Sequence, residues 1–235
     1  MKIMVINPNT SVSMTDHLRR ELAAIVRPGT ELTVTCPERG PVSIESAYDE
    51  ALAVPPTLEL VQRANREGYD AVILACFSDP GLYAAKEVSD ILVVGIQEVS
   101  LRVATTLGAR FTILTLFKER IPHKENDVWR NRLTPYLASV RELGMSVLET
   151  DERPDEAKRR IREVARKAVE EDGAEVIVLG CAGMVGYAEE AARELGVVVI
   201  DPTSVTLKYT EAMVEAGVVQ SKRAFYARPP QKLIK

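Results

Sequence analysis

One segment of this chain occurs twice. Tyr69-Asp-Ala-Val-Ile-Leu-Ala-Cys76 aligns with Ala174-Glu-Val-Ile-Val-Leu-Gly-Cys181 at an offset of 105 residues, the separation of Cys76 from Cys181. The same offset lays Gly81 on Gly186 and Val93-Val94 on Val198-Val199. A repeat of this length is larger than a supersecondary unit and close to a small domain, so it constrains the fold more than any composition value.

Around the repeat, short β-branched runs alternate with longer amphipathic stretches. The expected strands are Lys2–Ile6, Glu31–Cys36, Ala71–Ala75, Leu92–Gly95, Arg110–Leu116, Met145–Thr150, Val176–Gly180 and Val197–Ile200. Between them the pattern predicts helices near Ser13–Val26, Ser46–Glu67 (interrupted at Pro55-Pro56), Gly81–Ser89, Glu98–Leu107, Glu125–Leu143, Asp155–Glu170, Gly183–Leu195 and Ser204–Ala216. Strict alternation with near-continuous apolar strands predicts parallel sheet covered on both faces. Eight βα units also suit a closed barrel, but the repeat favours two copies of a four-unit module, each ending at a glycine, Gly108 or Gly217, as a C-cap signal. The expected fold is α/β: two pseudo-symmetric βα domains, each with a four-stranded parallel sheet flanked by helices. No Pro-, Gly- or Ser-rich linker separates the halves, so they should be tightly joined.

The chain has 235 residues, 46% of them hydrophobic and only 5% aromatic. A chain of that size buries roughly 70% of its unfolded surface and needs no disulfide or structural metal to hold a core. A net charge of −4 with 27% charged residues argues against a disordered chain and against a nucleic-acid or membrane-surface binder. No run approaches the ~18 apolar residues of a membrane span, and the N-terminus reads as a strand rather than a signal peptide. The expectation is a cytoplasmic protein with reduced thiols.

The three cysteines are Cys36, Cys76 and Cys181, and the two histidines are His17 and His123. No Cys-x-x-Cys or His cluster is present, so no metal site is expected. A Gly-x-Gly-x-x-Gly loop is absent and no Schiff-base lysine stands out, so any chemistry should be cofactor-free. The repeat puts Cys76 and Cys181 at the carboxyl end of the third strand of each module, the edge where open α/β sheets bind ligands. Ser78 or Asp79, followed by Pro80, suits a helix start after Cys76, and Ala182-Gly183-Met184 lets backbone N–H groups approach a ligand after Cys181. A helix N-terminus near each thiol would favour thiolate. A single cysteine ending a strand is ordinarily a small buried hydrophobe; two at matched positions of a duplicated fold point to paired chemistry. Cys36 has no counterpart, since Thr150 stands opposite it in the expected strands.

Two thiols related by a two-fold face a small-molecule ligand from opposite sides. That arrangement suits inversion of a stereocentre beside a carbonyl: one thiolate removes the proton, and the other thiol returns one to the opposite face. The pair shares one proton, so its titrations are coupled. Backbone N–H groups at the loop–helix junctions would stabilise the enolate between the two steps.

These residues carry a family resemblance. Ile6-Asn-Pro-Asn-Thr-Ser11, Gly40-Pro-Val-Ser-Ile-Glu45, Ala75-Cys-Phe-Ser-Asp-Pro-Gly-Leu82 and Leu179-Gly-Cys-Ala-Gly-Met184 resemble, in order and across nearly the whole chain, the aspartate/glutamate racemase superfamily and its hydantoin/allantoin racemase branch. The resemblance implies a site between two domains, cofactor-independent racemisation with Cys76 and Cys181 as the bases for the two enantiomers, and a homo-oligomer. It also implies that residues 206–235 return to the first domain, giving one unit of 1–100 plus 206–235 and another of 101–205. Amino-acid racemases of this group resemble Ala-Cys-Asn-Thr and Gly-Cys-Thr-His at the two cysteines. Here those positions read Ala75-Cys76-Phe77-Ser78 and Gly180-Cys181-Ala182-Gly183, which suits a neutral flat ring such as a 5-substituted hydantoin or a ureide such as allantoin. An amino-acid racemase, an arylmalonate-type decarboxylase, a maleate isomerase and a non-enzymatic two-lobed binding module are the alternatives, although a decarboxylase needs only one of the two thiols.

Beyond the cysteine loops, Asn9 is a candidate for a ring carbonyl, with a strand-to-helix turn as its plainer role. Thr115, ending the strand that mirrors the first, is a candidate for the symmetric role, and Phe117 and Ile44 are candidates for the walls of the side-chain pocket. The charged run Phe117–Tyr136, containing Lys118, Glu119, Arg120, Lys124, Glu125, Asp127, Arg130 and Arg132, reads as a solvated helix or subunit contact, with Trp129 as an interface anchor. Asp151–Asp172 reads as a solvent-facing helix with i,i+4 pairs, and the basic tail Arg223–Lys235 is too short to imply nucleic acid.

Overall fold

A computed structural model describes residues 1–230; the end of the tail, 231–235, lies outside the described residues. Two four-stranded, wholly parallel sheets are present. The first contains β1 (Lys2–Ile6), β2 (Glu31–Thr35), β3 (Ala71–Leu74) and β4 (Leu92–Gly95), in the order β2-β1-β3-β4. The second contains β5 (Phe111–Thr115), β6 (Leu137–Glu142), β7 (Val176–Leu179) and β8 (Val198–Ile200), in the order β6-β5-β7-β8. The two orders are identical, as duplication requires. The helices are α1 (Val12–Ile25), α2 (Ala47–Arg66), α3 (Leu82–Val88), α4 (Ile96–Leu107), α5 (Ile121–Arg130), α6 (Val147–Glu152), α7 (Pro154–Asp172), α8 (Ala188–Leu195) and α9 (Pro202–Glu215). None of them is long and apolar enough to cross a membrane.

Successive residues of a strand face opposite sides of a sheet, and the first sheet divides accordingly. Met4, Ile6, Val72, Leu74 and Val93 pack under α2 and α3 with Val61, Ala64, Leu82 and Ala85. Their neighbours Ile3, Val5, Ile73 and Val94 join one core that runs on through Leu101 and Leu207 to Ile113 and Ile177 of the second sheet. Burying each such side chain contributes about 1.5–3 kcal/mol, and a core common to both halves joins them without a linker. Helix α9 packs on β3 and β4 beside α4. Beyond it, Gln220 accepts from the Val93 N–H at 3.0 Å and donates to the Ile91 carbonyl at 2.8 Å, which covers the open edge of β4.

Three elements differ from the sequence expectation. Met145–Thr150 is not a strand: Ser146 Oγ accepts from the Glu149 N–H at 3.1 Å while Glu149 Oε2 accepts from the Ser146 N–H at 2.8 Å, a capping box that starts α6. The strand of that unit is β6, inside the stretch expected to be helix up to Leu143. It is an edge strand fixed by side-chain bonds, Ser139 Oγ to Thr112 Oγ1 at 2.9 Å and Arg141 Nε to Asp172 at 2.6 Å, so it lacks the apolar run of its neighbours. Helix α2 continues through Pro55 and Pro56; the carbonyls left without N–H partners belong to the exposed Ala51 and Leu52. Gly108 ends α4 in extended backbone, whereas Gly217 follows α9 at φ 67°.

Candidate active site

The register fixes the symmetry of the strand ends. Ile6 pairs with Leu74 as Leu114 pairs with Leu179, and the next N–H groups, of Ala75 and Gly180, each donate at 2.8 Å to the carbonyls of Ile6 and Leu114. Cys76 and Cys181 follow directly. A Cβ on Gly180 would lie 2.4 Å from the Leu114 carbonyl oxygen, so Cys181 is carried on a strand end that only glycine lets approach its neighbour this closely. Gly81 and Gly186 close the two cysteine loops at φ 72° and 80°, the left-handed region that favours glycine.

Both cysteines line one cleft of about 530 Å³, counting its open mouth, formed by loops of both halves. Asn9, Ile44, Phe77, Ser78, Thr115, Phe117, Gly180 and Ala182 line it with them. Gly183 is not among the lining residues; its N–H donates to Cys181 Sγ at 3.4 Å. Asn9 lines the cleft but spends its amide locally, accepting from Ser11 N–H at 2.9 Å and Asn7 Nδ2 at 2.7 Å, while Ser11 rather than Asn9 caps α1. By register Thr115 mirrors Asn7, not Asn9, whose counterpart is Phe117; Asn7 and Thr115 both line the cleft. Cys36 lies just past β2, away from the cleft, and its register counterpart is Glu142 rather than Thr150.

Neither thiol abuts the N-terminus of an α-helix, although Cys181 caps a single 3-10 turn, Ala182–Met184. Helix α3 begins only at Leu82, with Gly81 rather than Ser78 or Asp79 at its N-cap, and α8 begins at Ala188. Ser78 instead places its Oγ 3.4 Å from Cys76 Sγ. Burial pushes the Cys76 thiol above its ordinary value, against the pull of the Ser78 hydrogen bonds and the Lys124 charge. Burial pushes Cys181 up to about 12, opposed by the Gly183 N–H and reinforced by the charges of Cys76 and Glu45. Each thiol therefore holds its proton more tightly than a free cysteine, and a charge on one raises the cost of a charge on the other.

Sequence reasoning missed the charged residues of the cleft. Arg120 and Lys124, expected in a solvated or subunit-contact run, line it, and Lys124 is only 4% exposed. The spacing Ile121, Lys124, Val128 puts Lys124 on the inward stripe of α5, a signal that the density of charges in the run obscured. Trp129, in the same helix, is 68% exposed. Contacts that bridge the halves around the cleft include Arg120 to Glu50, the Val147 N–H to Glu45 Oε1 at 3.0 Å, Lys124 Nζ to the Phe77 carbonyl, and Gln97 Nε2 to Asp127 Oδ2 at 3.0 Å. Among the described residues no group of three or more His, Cys, Asp or Glu is arranged to hold a metal ion.

The profile of the family described as Asp/Glu/Hydantoin racemase matches residues 3–210. A hydantoin racemase of Pseudomonas sp. (strain NS671) is 40% identical over 232 residues, covering 99% of this chain and 93% of the relative. A hydantoin racemase of Paenarthrobacter aurescens is 40% identical over 233 residues, covering 99% of both. The solved allantoin racemase from Klebsiella pneumoniae superposes with a TM-score of 0.96 at 36% identity, covering 100% of this chain and 96% of that one.

Proposed function

Because the chain belongs to the Asp/Glu/hydantoin racemase family, we propose that it racemises 5-monosubstituted hydantoins or the related ureide allantoin through Cys76 and Cys181. The observation that carries this reading is that the two thiols, one from each half, line the same cleft. A ring bound between them has its C5–H directed at one sulfur. The thiolate takes that proton, the C–H electron pair moves to the adjacent carbonyl oxygen as an enolate, and the opposite thiol delivers its proton to the other face. The charge passes from one sulfur to the other and no group is consumed. The Thr115 hydroxyl and the backbone N–H groups of the cysteine loops are the polar partners for the ring carbonyls, while the Asn7 amide, bonded to Asn9 and Thr15, holds the loop after β1. Phe77, Ala182 and Gly183, in place of polar residues, favour an uncharged ring over a free amino acid.

Polarimetry of an optically pure 5-substituted hydantoin and of allantoin tests this. Wild type should abolish rotation, while C76A and C181A should not. In D₂O each single variant should still exchange the C5 proton of one enantiomer without inverting it. Racemisation that survives both substitutions would end the two-base reading.

A further inference from the structure

The pseudo-symmetry of the cleft stops at its charges. Lys124 comes from α5 in the second half, yet its ammonium donates to the carbonyl of Phe77, the residue that follows Cys76 in the first half. The same ammonium lies 3.3 Å from Asp127 Oδ2 and 5.3 Å from the centre of the Phe77 ring. Gln97 Nε2 donates to the same carbonyl at 2.8 Å and to Asp127 Oδ2 at 3.0 Å, which fixes the cation in place. The loop after Cys181 has no counterpart among the described residues: it presents Ala182 and Gly183, to which no side-chain cation donates, and although the Lys124 charge reaches Cys181 too, Glu45 opposes it there.

We propose that Lys124 decides which of the two cysteines carries the charge when the pair loses its first proton, placing it on Cys76 and leaving the remaining proton on Cys181. This rests on the two-cysteine reading above and adds an order to it. A buried thiolate needs a counter-charge or hydrogen bonds to offset lost hydration. Cys76 has the Ser78 hydroxyl at 3.4 Å and the cation anchored on the next residue, whereas Cys181 has one backbone N–H at 3.4 Å. The charged groups facing the pair are Glu50 from α2, Glu45 from the loop before it, and Arg120, Lys124 and Asp127 from the segment after β5. Arg120 is engaged by Glu50, and the Asp127 carboxylate, at 3.3 Å from Lys124, is shared with Gln97, while the same ammonium also reaches the Phe77 carbonyl on the Cys76 side. Lys124 acts through Cys76 and is a positioning residue.

The test is iodoacetamide alkylation of the full-length protein across pH, with the modification of each cysteine followed by peptide mass spectrometry. Midpoints rather than absolute rates are compared, so unequal access does not enter. In wild type the Cys76 midpoint should lie at least about one pH unit below that of Cys181. K124M should slow Cys76 alkylation about tenfold at neutral pH and raise its midpoint, and K124R should restore both. A Cys181 midpoint at or below that of Cys76 in wild type would overturn the proposal even if K124M does not fold. So would an unchanged Cys76 midpoint in a folded K124M. The racemisation assays of C76A and C181A judge the two-base reading separately, because alkylation needs no turnover.

Discussion

The carboxylate of Asp79 accepts a hydrogen bond from the backbone N–H of Glu98 at 2.7 Å, tying the Cys76 loop to the first turn of α4. It also accepts from the Gln97 N–H at 3.1 Å. Asp201 does the converse in the second half: from the N-cap of α9 it reaches back to the Gly186 N–H at 2.9 Å, in the loop after Cys181. Duplication has thus kept the connection between cysteine loop and following helix while exchanging which side supplies the acid. Asp79 holds φ at 45°, an uncommon conformation for a residue with a Cβ, and a Cβ on Gly95 would lie 2.1 Å from its Cγ.

Stability should carry the titration of Asp79. Burial raises its carboxyl to about 7, the N–H bonds of Glu98 and Gln97 opposing the rise. Its pKa in the folded state lies above that in the unfolded chain, so the stability it contributes is complete below about pH 4 and is lost as the pH climbs to about 7. The span is on the order of 4 kcal/mol. Urea unfolding of wild type and D79N between those limits should show wild type losing its advantage as pH rises. A difference that stays constant with pH would contradict the assignment.

Gly180 and Ala75 occupy equivalent strand ends, yet only Gly180 has a backbone oxygen where its Cβ would be. G180A should therefore cost about 1–3 kcal/mol of stability and displace Cys181, lowering kcat more than KM. A75G, at the mirror position, should leave the path of the chain to Cys76 intact and cost no more than about 1 kcal/mol. Thermal unfolding and steady-state racemisation of the two variants check the contrast.

How far the sequence reached depended on what held each element. Strands whose stability comes from apolar burial, such as Val72-Ile73-Leu74 and Val176-Ile177-Val178, were legible, and with them the repeat, both sheets and the positions of Cys76 and Cys181. Strand β6 was not, because Ser139 and Arg141 fix it by bonds to Thr112 and Asp172 that are distant in sequence. The capping box at Ser146 and Glu149 was readable locally, but the β-branched residues around it suggested a strand instead. Arg120 and Lys124 join the cleft through partners in the other half, Glu50 and the Phe77 carbonyl, and only the folded chain brings those together.

Glu45 links the halves and sits among the charges that hold the Cys181 proton on. E45Q retains an oxygen for the Val147 N–H but removes the negative charge. The Cys181 midpoint should therefore move to lower pH with little loss of folding stability, whereas E45A should lose the bridge as well. Site-resolved alkylation separates these effects; a Cys181 midpoint unmoved in E45Q would show that the carboxylate does not act on the thiol.

The raised thiols set the pH dependence of turnover. Burial is the main cause at both Cys76 and Cys181, and it disfavours the charged sulfur that removes the proton. At neutral pH only a minor fraction of the pair carries a thiolate, and that fraction grows about tenfold per pH unit until the first proton is lost. The ratio kcat/KM should therefore climb with pH from about 6 to about 9, with a slope near one on a logarithmic plot. Both enantiomers should share the same apparent midpoint in kcat/KM, because each is turned over by the singly deprotonated pair and the two forms differ only in which sulfur carries the charge. A profile already flat at about pH 6 would mean that something in the cleft cancels the burial of the sulfurs, and Lys124 is the residue whose replacement should then restore the slope.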